Sequence, residues 1–191
     1  MKVALSIGHD SERSGAWSPT LQLHEWQWCR ELGRQLQAEL ELRGLEAQIF
    51  LRTPGARYSE QMAELCDRIN TYTGSGGLVL GLHFNSTSED WAGGCALHWP
   101  SSSKGAQVAA HLAAAAAAAI GNRDRGAIAQ AKSWGTGRPP LYLLQLTRSP
   151  ACILEPFFGS NEADSRAADR ALQSGELAAA LGGAVMAWGT G

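Results

Sequence analysis

Short apolar runs alternate along the chain with longer segments in which apolar residues recur at helical spacing. The runs have the length of strands, and their near-continuous apolar character is typical of strands that are covered on both faces. Five are predicted, at residues 3–8, 47–52, 76–85, 93–99 and 151–155. Strands that alternate with helices indicate an α/β fold, a single-domain sandwich with a central, mainly parallel twisted sheet flanked by helices.

Four helices are predicted between and after these strands. The first begins near residue 21 and ends before Gly44, and its apolar stripe consists of Cys29, Leu32, Leu36 and Leu40. The second covers residues 58–72 with Ser59 as its N-cap, and the third is the alanine-rich segment 105–120. A loop is expected over residues 121–140. One last helix closes the chain, with a buried stripe of Leu172, Leu177, Leu181 and Val185.

Size and composition favour one globular domain, residues 1–191. They argue against nucleic acid and membranes as partners. Hydrophobic residues make up 45% and charged residues 18% of the sequence, which is not the composition of a disordered protein. The net charge of −2 predicts no nucleic-acid partner, and no apolar stretch is long enough for a membrane span. The amino-terminal apolar run is too short for a signal peptide, so a cytoplasmic location is expected. A monomer is the default expectation. The four scattered cysteines are expected to be buried free thiols.

Polar side chains stand at the carboxyl ends of three predicted strands. His9 follows the first strand, His83 lies near the end of the third, and Glu155 ends the last. Ligands bind beyond the carboxyl ends of the strands in open α/β sheets, so these residues are expected at one edge. A single histidine at a strand end is more often a packing residue. The joint placement of all three is what indicates a site.

The stretch LHEWQW, residues 23–28, departs from the zinc motif H-E-x-x-H because Trp28 stands where the second histidine belongs. Extending the apolar stripe of the first helix backward from Cys29 by one turn reaches Glu25. His24 falls about 100° away from that face. Glu25 is therefore expected to point toward the sheet, and His24 is not.

Two imidazoles and one carboxylate are a ligand set that holds catalytic zinc in hydrolases. His9, Glu25 and His83 are the predicted ligands of a Zn²⁺ ion, with Glu155 as general base. The sequence contains no G-x-S-x-G nucleophile motif and no glycine motif for nucleotide phosphates. His98 and His111 are expected to be structural or surface residues.

Five stretches of the sequence, in order, resemble sequence blocks of zinc-dependent N-acetylmuramoyl-L-alanine amidases of the amidase-3 type, a family found in bacterial cell-wall hydrolases and phage endolysins. They are LSIGHD, LHEWQWCRELGRQL, LVLGLHFNS, NRDRG and SPACILEPFFGSN, and they span nearly the whole chain. The chain departs from the family's pattern at residues 10–11, where glycines are usual, and at residues 156–157, where a small residue is common.

The resemblance implies hydrolysis of the amide that joins the lactyl group of N-acetylmuramic acid to L-alanine of the stem peptide. It assigns zinc to His9, Glu25 and His83 and makes Glu155 the catalytic carboxylate. The implied partner is peptidoglycan, and the implied role is that of a phage or prophage endolysin, held in the cytoplasm and acting on the cell wall after release at lysis.

Candidate substrate-binding residues are Asn85, Trp17, Trp134 and Arg138. The tryptophans, like Trp91, lie in predicted loops and are candidates to stack on sugar rings, although packing at the core's edge is the competing interpretation. Arg138 is a candidate to meet a stem-peptide carboxylate. Two alternative functions stay open, a zinc peptidase that cuts within the stem peptide and a non-catalytic peptidoglycan-binding module.

Overall fold

The structure, a computed structural model, describes residues 1–55, 57–133 and 140–189. Its strands and helices follow in the order β1 (Lys2–Ile7), β2 (Trp17–Ser18), β3 (Leu23–His24), α1 (Glu25–Leu42), β4 (Glu46–Phe50), α2 (Tyr58–Thr73), β5 (Leu78–Leu82), β6 (Gly94–His98), α3 (Ser103–Ile120), β7 (Asp124–Ala129), α4 (Tyr142–Leu146), β8 (Ala151–Glu155), α5 (Glu162–Gln173) and α6 (Glu176–Gly189).

Six strands form one sheet in the order β4-β1-β5-β8-β6-β7, and β2 and β3 form a separate antiparallel hairpin. Within the described part of the chain, neighbouring strands of the sheet are parallel except for β6 and β8. The expected α/β fold with a mainly parallel sheet is therefore confirmed. The central strand β5 is buried along its whole length, as its unbroken apolar sequence predicts.

Helices cover both faces of the sheet. One apolar core contains residues from α1, α3, α5 and α6, and the other contains residues from α2 and α4. Successive residues of β1 divide between them, since Leu5 packs in the first core and Ala4 in the second. The stripes predicted for the first and last helices lie in the first core. All four cysteines are buried free thiols, as predicted.

Three features of the chain differ from the expected elements. The segment expected to be a loop after α3 contains β7, an edge strand whose residues are mostly half-exposed, so its charged sequence carries no buried-strand pattern. The expected final helix is two helices, because Gly175 with a φ of 77° interrupts the helical backbone. The N-cap of α2 is Arg57, and Ser59 lies inside the first turn.

The first helix begins at Glu25, four residues later than expected, because the preceding residues form the β2–β3 hairpin. This hairpin connects β1 to α1 and positions the first turn of α1 near the carboxyl end of β1. No helix among the described residues combines the length and apolar character that crossing a membrane requires.

Candidate metal centre

His9 follows β1 with a backbone conformation that non-glycine residues rarely adopt. Its φ is 65°, in the left-handed region. Gly8, immediately before it, lies against the imidazole of His83, where an added Cβ would stand 2.5 Å from that ring. The two imidazoles meet edge to face, with their centroids 5.3 Å apart. A residue without a side chain at position 8 therefore allows the two rings to approach each other.

Glu25, the first residue of α1, lies between the two imidazoles and uses one carboxylate oxygen for each. Its Oε2 lies 3.0 Å from His9 Nε2, and its Oε1 lies 2.8 Å from His83 Nδ1. The backbone N–H groups of Ala16 and Phe84 donate to Oε2 and Oε1, each at 3.2 Å. The carboxylate is only 4% exposed, so these four contacts fix its position.

The three side chains match the donor types that zinc takes and converge on one place. One ligand atom from each of His9, Glu25 and His83 lies within 4.8 Å of the others. Zinc binds nitrogen and oxygen ligands at about 2.0–2.2 Å, which puts tetrahedral ligand atoms roughly 3.3 Å apart. Gly15 leaves the space open, because a Cβ there would stand 2.6 Å from Glu25 Oε2 and from His9 Cδ2.

The electrostatics of Glu25 favour a bound cation. Burial raises the pKa of this carboxyl, but hydrogen bonds from His83 and His9 outweigh burial and hold the pKa well below its ordinary value. Glu25 is therefore ionised at neutral pH. A fixed, desolvated carboxylate beside two imidazole nitrogens is an arrangement that a divalent cation stabilises.

Glu155 ends β8, on the strand next to the one that precedes His83. The register pairs Leu82 with Leu154, so the residues after them stand side by side. The Oε2 atom of Glu155 is buried and has no hydrogen-bond partner among the described residues. Burial, reinforced by the negative charge of Glu25, raises the pKa of Glu155 well above its ordinary value. A carboxyl group in this state can hold a proton near neutral pH, as general acid–base chemistry requires.

A cavity of about 430 Å³ opens over these groups. His9, His83 and Glu155 line it from the sheet edge, and Tyr58 and Tyr142 line it from the side of α2 and α4. This volume is in the range of small-molecule sites. Two of the three candidate ligands, His9 and His83, and the candidate base therefore line the same cavity.

The other residues singled out in the sequence are dispersed. Trp17 is 44% exposed, and it belongs to the hairpin strand that follows Ala16, a residue in contact with Glu25. Asn85 makes an isolated backbone bridge with Phe158, and its side-chain oxygen accepts a hydrogen bond from the adjacent backbone N–H. Trp134 and Arg138 lie outside the described residues.

The remaining histidines do not belong to the cluster that His9, Glu25 and His83 form, as expected. His98 is buried in β6 and contacts the carbonyl of Trp99, and His111 contacts a carbonyl one turn back in α3. His24 caps α1: its backbone N–H donates to the side chain of Gln27, and its ring meets Trp17.

The site includes one polar element that the sequence does not indicate, a buried ion pair between Asp10 and Arg52. Asp10 directly follows a predicted ligand, and Arg52 stands at the carboxyl end of the strand next to β1. Arg52, like His9, lies two residues after the carboxyl end of a strand. At such a position the sequence alone does not distinguish an arginine of a buried ion pair from a solvated charge.

Comparison with known proteins agrees with this architecture. A family model described as N-acetylmuramoyl-L-alanine amidase matches residues 3–186. No curated protein sequence matches the chain significantly. The catalytic domain of the CD27L endolysin, which targets Clostridium difficile, is similar with a TM-score of 0.81 at 21% identity, and 97% of each chain is covered.

Two further solved structures share the fold. AmiC2 of Nostoc punctiforme, an N-acetylmuramoyl-L-alanine amidase, has a TM-score of 0.74 at 20% identity over 98% of this chain and 96% of that chain. The catalytic domain of CwlV from Bacillus (Paenibacillus) polymyxa has a TM-score of 0.68 at 21% identity over 95% and 96%. Because the family match covers nearly the whole sequence, the chain belongs to the N-acetylmuramoyl-L-alanine amidase family.

Proposed function

We propose that this protein is a zinc-dependent amidase that hydrolyses the bond between N-acetylmuramic acid and L-alanine of the stem peptide in peptidoglycan. The observation that carries the proposal is the convergence of His9, Glu25 and His83 at the sheet edge, with Glu155 on the adjacent strand. Family membership supports the reaction. The two imidazoles and the ionised carboxylate support zinc as the metal.

The proposed mechanism assigns separate tasks to the side chains. His9, Glu25 and His83 would hold the ion, and the N–H groups of Ala16 and Phe84 keep the carboxylate of Glu25 oriented. A zinc ion held there supplies Lewis-acid chemistry, polarising a carbonyl and acidifying a water molecule. In its ionised form Glu155 would accept the proton of the attacking water, and in its protonated form it would deliver that proton to the amine of the departing L-alanine.

The unpartnered oxygen of Glu155 favours catalysis over binding alone. A buried carboxylate oxygen without a hydrogen bond costs free energy, and a peptidoglycan-binding module gains nothing from it. We further propose a phage or prophage endolysin, acting as a monomer and held in the cytoplasm until lysis. The similarity of the fold to the CD27L endolysin catalytic domain supports this role.

Mass spectrometry of purified bacterial sacculi digested by the protein tests the reaction. We expect released stem peptides with a free L-alanine amino terminus, and we expect a chelator to abolish their release and added Zn²⁺ to restore it. Cleavage between amino acids of the stem would instead identify a zinc peptidase. Binding to the sacculi without any released product would identify a binding module.

A further inference from the structure

Asp10 and Arg52 form a buried ion pair directly behind His9. Nη2 of Arg52 lies 3.1 Å from Oδ2 of Asp10, and the two side chains are 7% and 2% exposed. Nε of Arg52 donates to the backbone carbonyl of His9 at 3.2 Å. Burying two charges is costly unless their remaining hydrogen-bonding groups are satisfied. Here Nη2 of the guanidinium forms the ion pair, and Nε donates to the peptide carbonyl of a predicted metal ligand.

The sheet brings these residues together. β1 and β4 are parallel neighbours, and the register pairs Ser6 with Phe50, so the segments that follow both strands leave the sheet side by side. Arg52 therefore emerges next to His9. The guanidinium also lies over the ring of Tyr58, 5.3 Å from its centroid, which restricts it from the α2 side.

Asp10 ties the ion pair to the loop that follows. Its Oδ1 accepts hydrogen bonds from the backbone N–H groups of Glu12 and Arg13, at 3.0 and 2.8 Å. Its own backbone N–H donates to the carbonyl of Arg13 at 3.2 Å. One oxygen of this carboxylate thus closes a tight turn. The other, Oδ2, pairs with the guanidinium by charge at 3.1 Å and makes no hydrogen bond among the described residues.

The backbone of His9 needs such support. A left-handed φ of 65° is unfavourable for a residue with a side chain, and it persists only where the surroundings fix it. The peptide between His9 and Asp10 is held at both of its polar groups, because its carbonyl accepts from Arg52 and its N–H donates to the carbonyl of Arg13. His9 Nε2 then reaches Glu25 Oε2 at 3.0 Å.

We propose that Asp10 and Arg52 are positioning residues for His9. They fix the left-handed backbone that directs Nε2 of His9 into the ligand cluster, and they thereby set the metal affinity of the site. This inference rests on the proposed function, because it presumes that His9 is a ligand. A buried charge pair that is not part of the ligand set, with Asp10 after β1 and Arg52 after β4, then controls the orientation of His9.

Zinc affinity of the full-length protein, measured by competition with a chromophoric chelator, tests the proposal. We expect Arg52→Ala to weaken zinc binding roughly 10- to 100-fold, as changes behind a metal-binding histidine commonly do. The absorption spectrum of the Co²⁺-substituted protein should change as well, because the position of one ligand is altered. Arg52→Lys should recover part of the affinity, since an ammonium can meet Asp10 but lacks the planar fork.

Arg68→Ala is the matched control. Nη2 of Arg68 donates to the carbonyl of Leu51 at 2.6 Å, so it also ties α2 to the segment after β4 without approaching His9. This variant should keep the wild-type zinc affinity and Co²⁺ spectrum. Asp10→Asn, which conserves side-chain volume and can still accept the turn hydrogen bonds, covers the case in which Arg52→Ala does not fold. It should weaken zinc binding in the same direction.

The outcomes separate the two proposals. Wild-type protein that binds zinc, together with an Arg52→Ala or Asp10→Asn variant of unchanged affinity and spectrum, would overturn the positioning role and leave the proposed metal site intact. Wild-type protein that binds no zinc would overturn both. Weakened binding in both variants, with Arg68→Ala unchanged, would support the inference.

Discussion

His83 and Glu155 stand at equivalent positions at the ends of two neighbouring parallel strands. The backbone N–H of His83 donates to the carbonyl of Leu154 at 3.0 Å, which continues the ladder of β5 and β8 to the edge where both side chains emerge. Neighbouring strands lie about 4.8 Å apart, so a candidate ligand and the candidate base are separated by one strand spacing. Two groups with different proposed tasks therefore share a rigid part of the sheet.

Replacing these two neighbours should separate turnover from metal binding. Glu155→Gln is expected to reduce the hydrolysis rate by about 10²–10⁴-fold, the range for loss of a general acid–base group, and to leave zinc affinity within a few-fold of wild type. His83→Ala is expected to lose both hydrolysis and zinc binding. Product release from sacculi and zinc competition titrations measure the two properties independently. An active Glu155→Gln protein would exclude the proposed role of this carboxylate.

The raised pKa of Glu155 predicts how the metal-free protein responds to pH. Above the ordinary pKa of a glutamate, the unfolded chain has released this proton while the folded chain retains it. The folded state then binds more protons than the unfolded state, so the free energy of unfolding falls as the pH rises from about 4.3 toward the raised pKa. Glutamine does not titrate and avoids this loss.

Thermal unfolding of chelator-treated wild type and Glu155→Gln between pH 4 and 7 tests this expectation. The variant should gain in Tm relative to wild type as the pH rises, by about 2–4 °C for each kcal/mol of difference in a chain of this size. A difference in Tm that is constant with pH would contradict the raised pKa.

The positions of the candidate ligands were predictable from the sequence, because one rule about strand ends and one about helix phase locate them. The carboxyl ends of parallel strands share one edge, which groups His9, His83 and Glu155. The helical phase set by Cys29 turns Glu25 inward, and the structure has this side chain buried. Neither argument needs knowledge of loop conformation.

The features that escaped prediction depend on contacts between distant segments. The left-handed φ of His9 could not be predicted, because the residue that usually marks such a conformation is glycine and position 9 is a histidine. The β7 strand lies at the sheet edge with half-exposed residues, so the apolar pattern that identifies buried strands is missing. Arg52 and Asp10 are 42 positions apart in sequence, and only the register of β1 with β4 makes them partners.

Trp17 is expected to contribute to substrate binding by stacking on a sugar ring. Its indole is 44% exposed, and it lies edge to face with His24, 5.0 Å between centroids, on the hairpin beside Glu25. Trp17→Ala should raise KM for peptidoglycan about 3- to 10-fold with little change in kcat, a loss in the range of one aromatic stacking contact. Leu42→Ala, at the exposed end of α1, is the control and should change neither value. An unchanged KM in the Trp17 variant would favour a packing role.

Gly15 provides a steric test of the metal site. Its φ is 78°, and a Cβ there would stand 2.6 Å from Glu25 Oε2 and from His9 Cδ2. Gly15→Ala should therefore displace at least one ligand and weaken zinc binding by more than about tenfold, the loss seen when ligand orientation is disturbed. It also forces a side chain into the left-handed backbone region, which alone destabilises the fold by about 1 kcal/mol.

Gly121→Ala separates these two effects. Gly121 has a φ of 75°, close to that of Gly15, but no heavy atom lies within 4 Å of a Cβ at this position. The backbone cost of the two substitutions should be similar, so both variants should lose a few degrees in Tm. Zinc competition titrations should then distinguish them, with affinity lost in Gly15→Ala and retained in Gly121→Ala. Equal zinc affinities in the two variants would mean that the space beside Glu25 and His9 does not hold the metal.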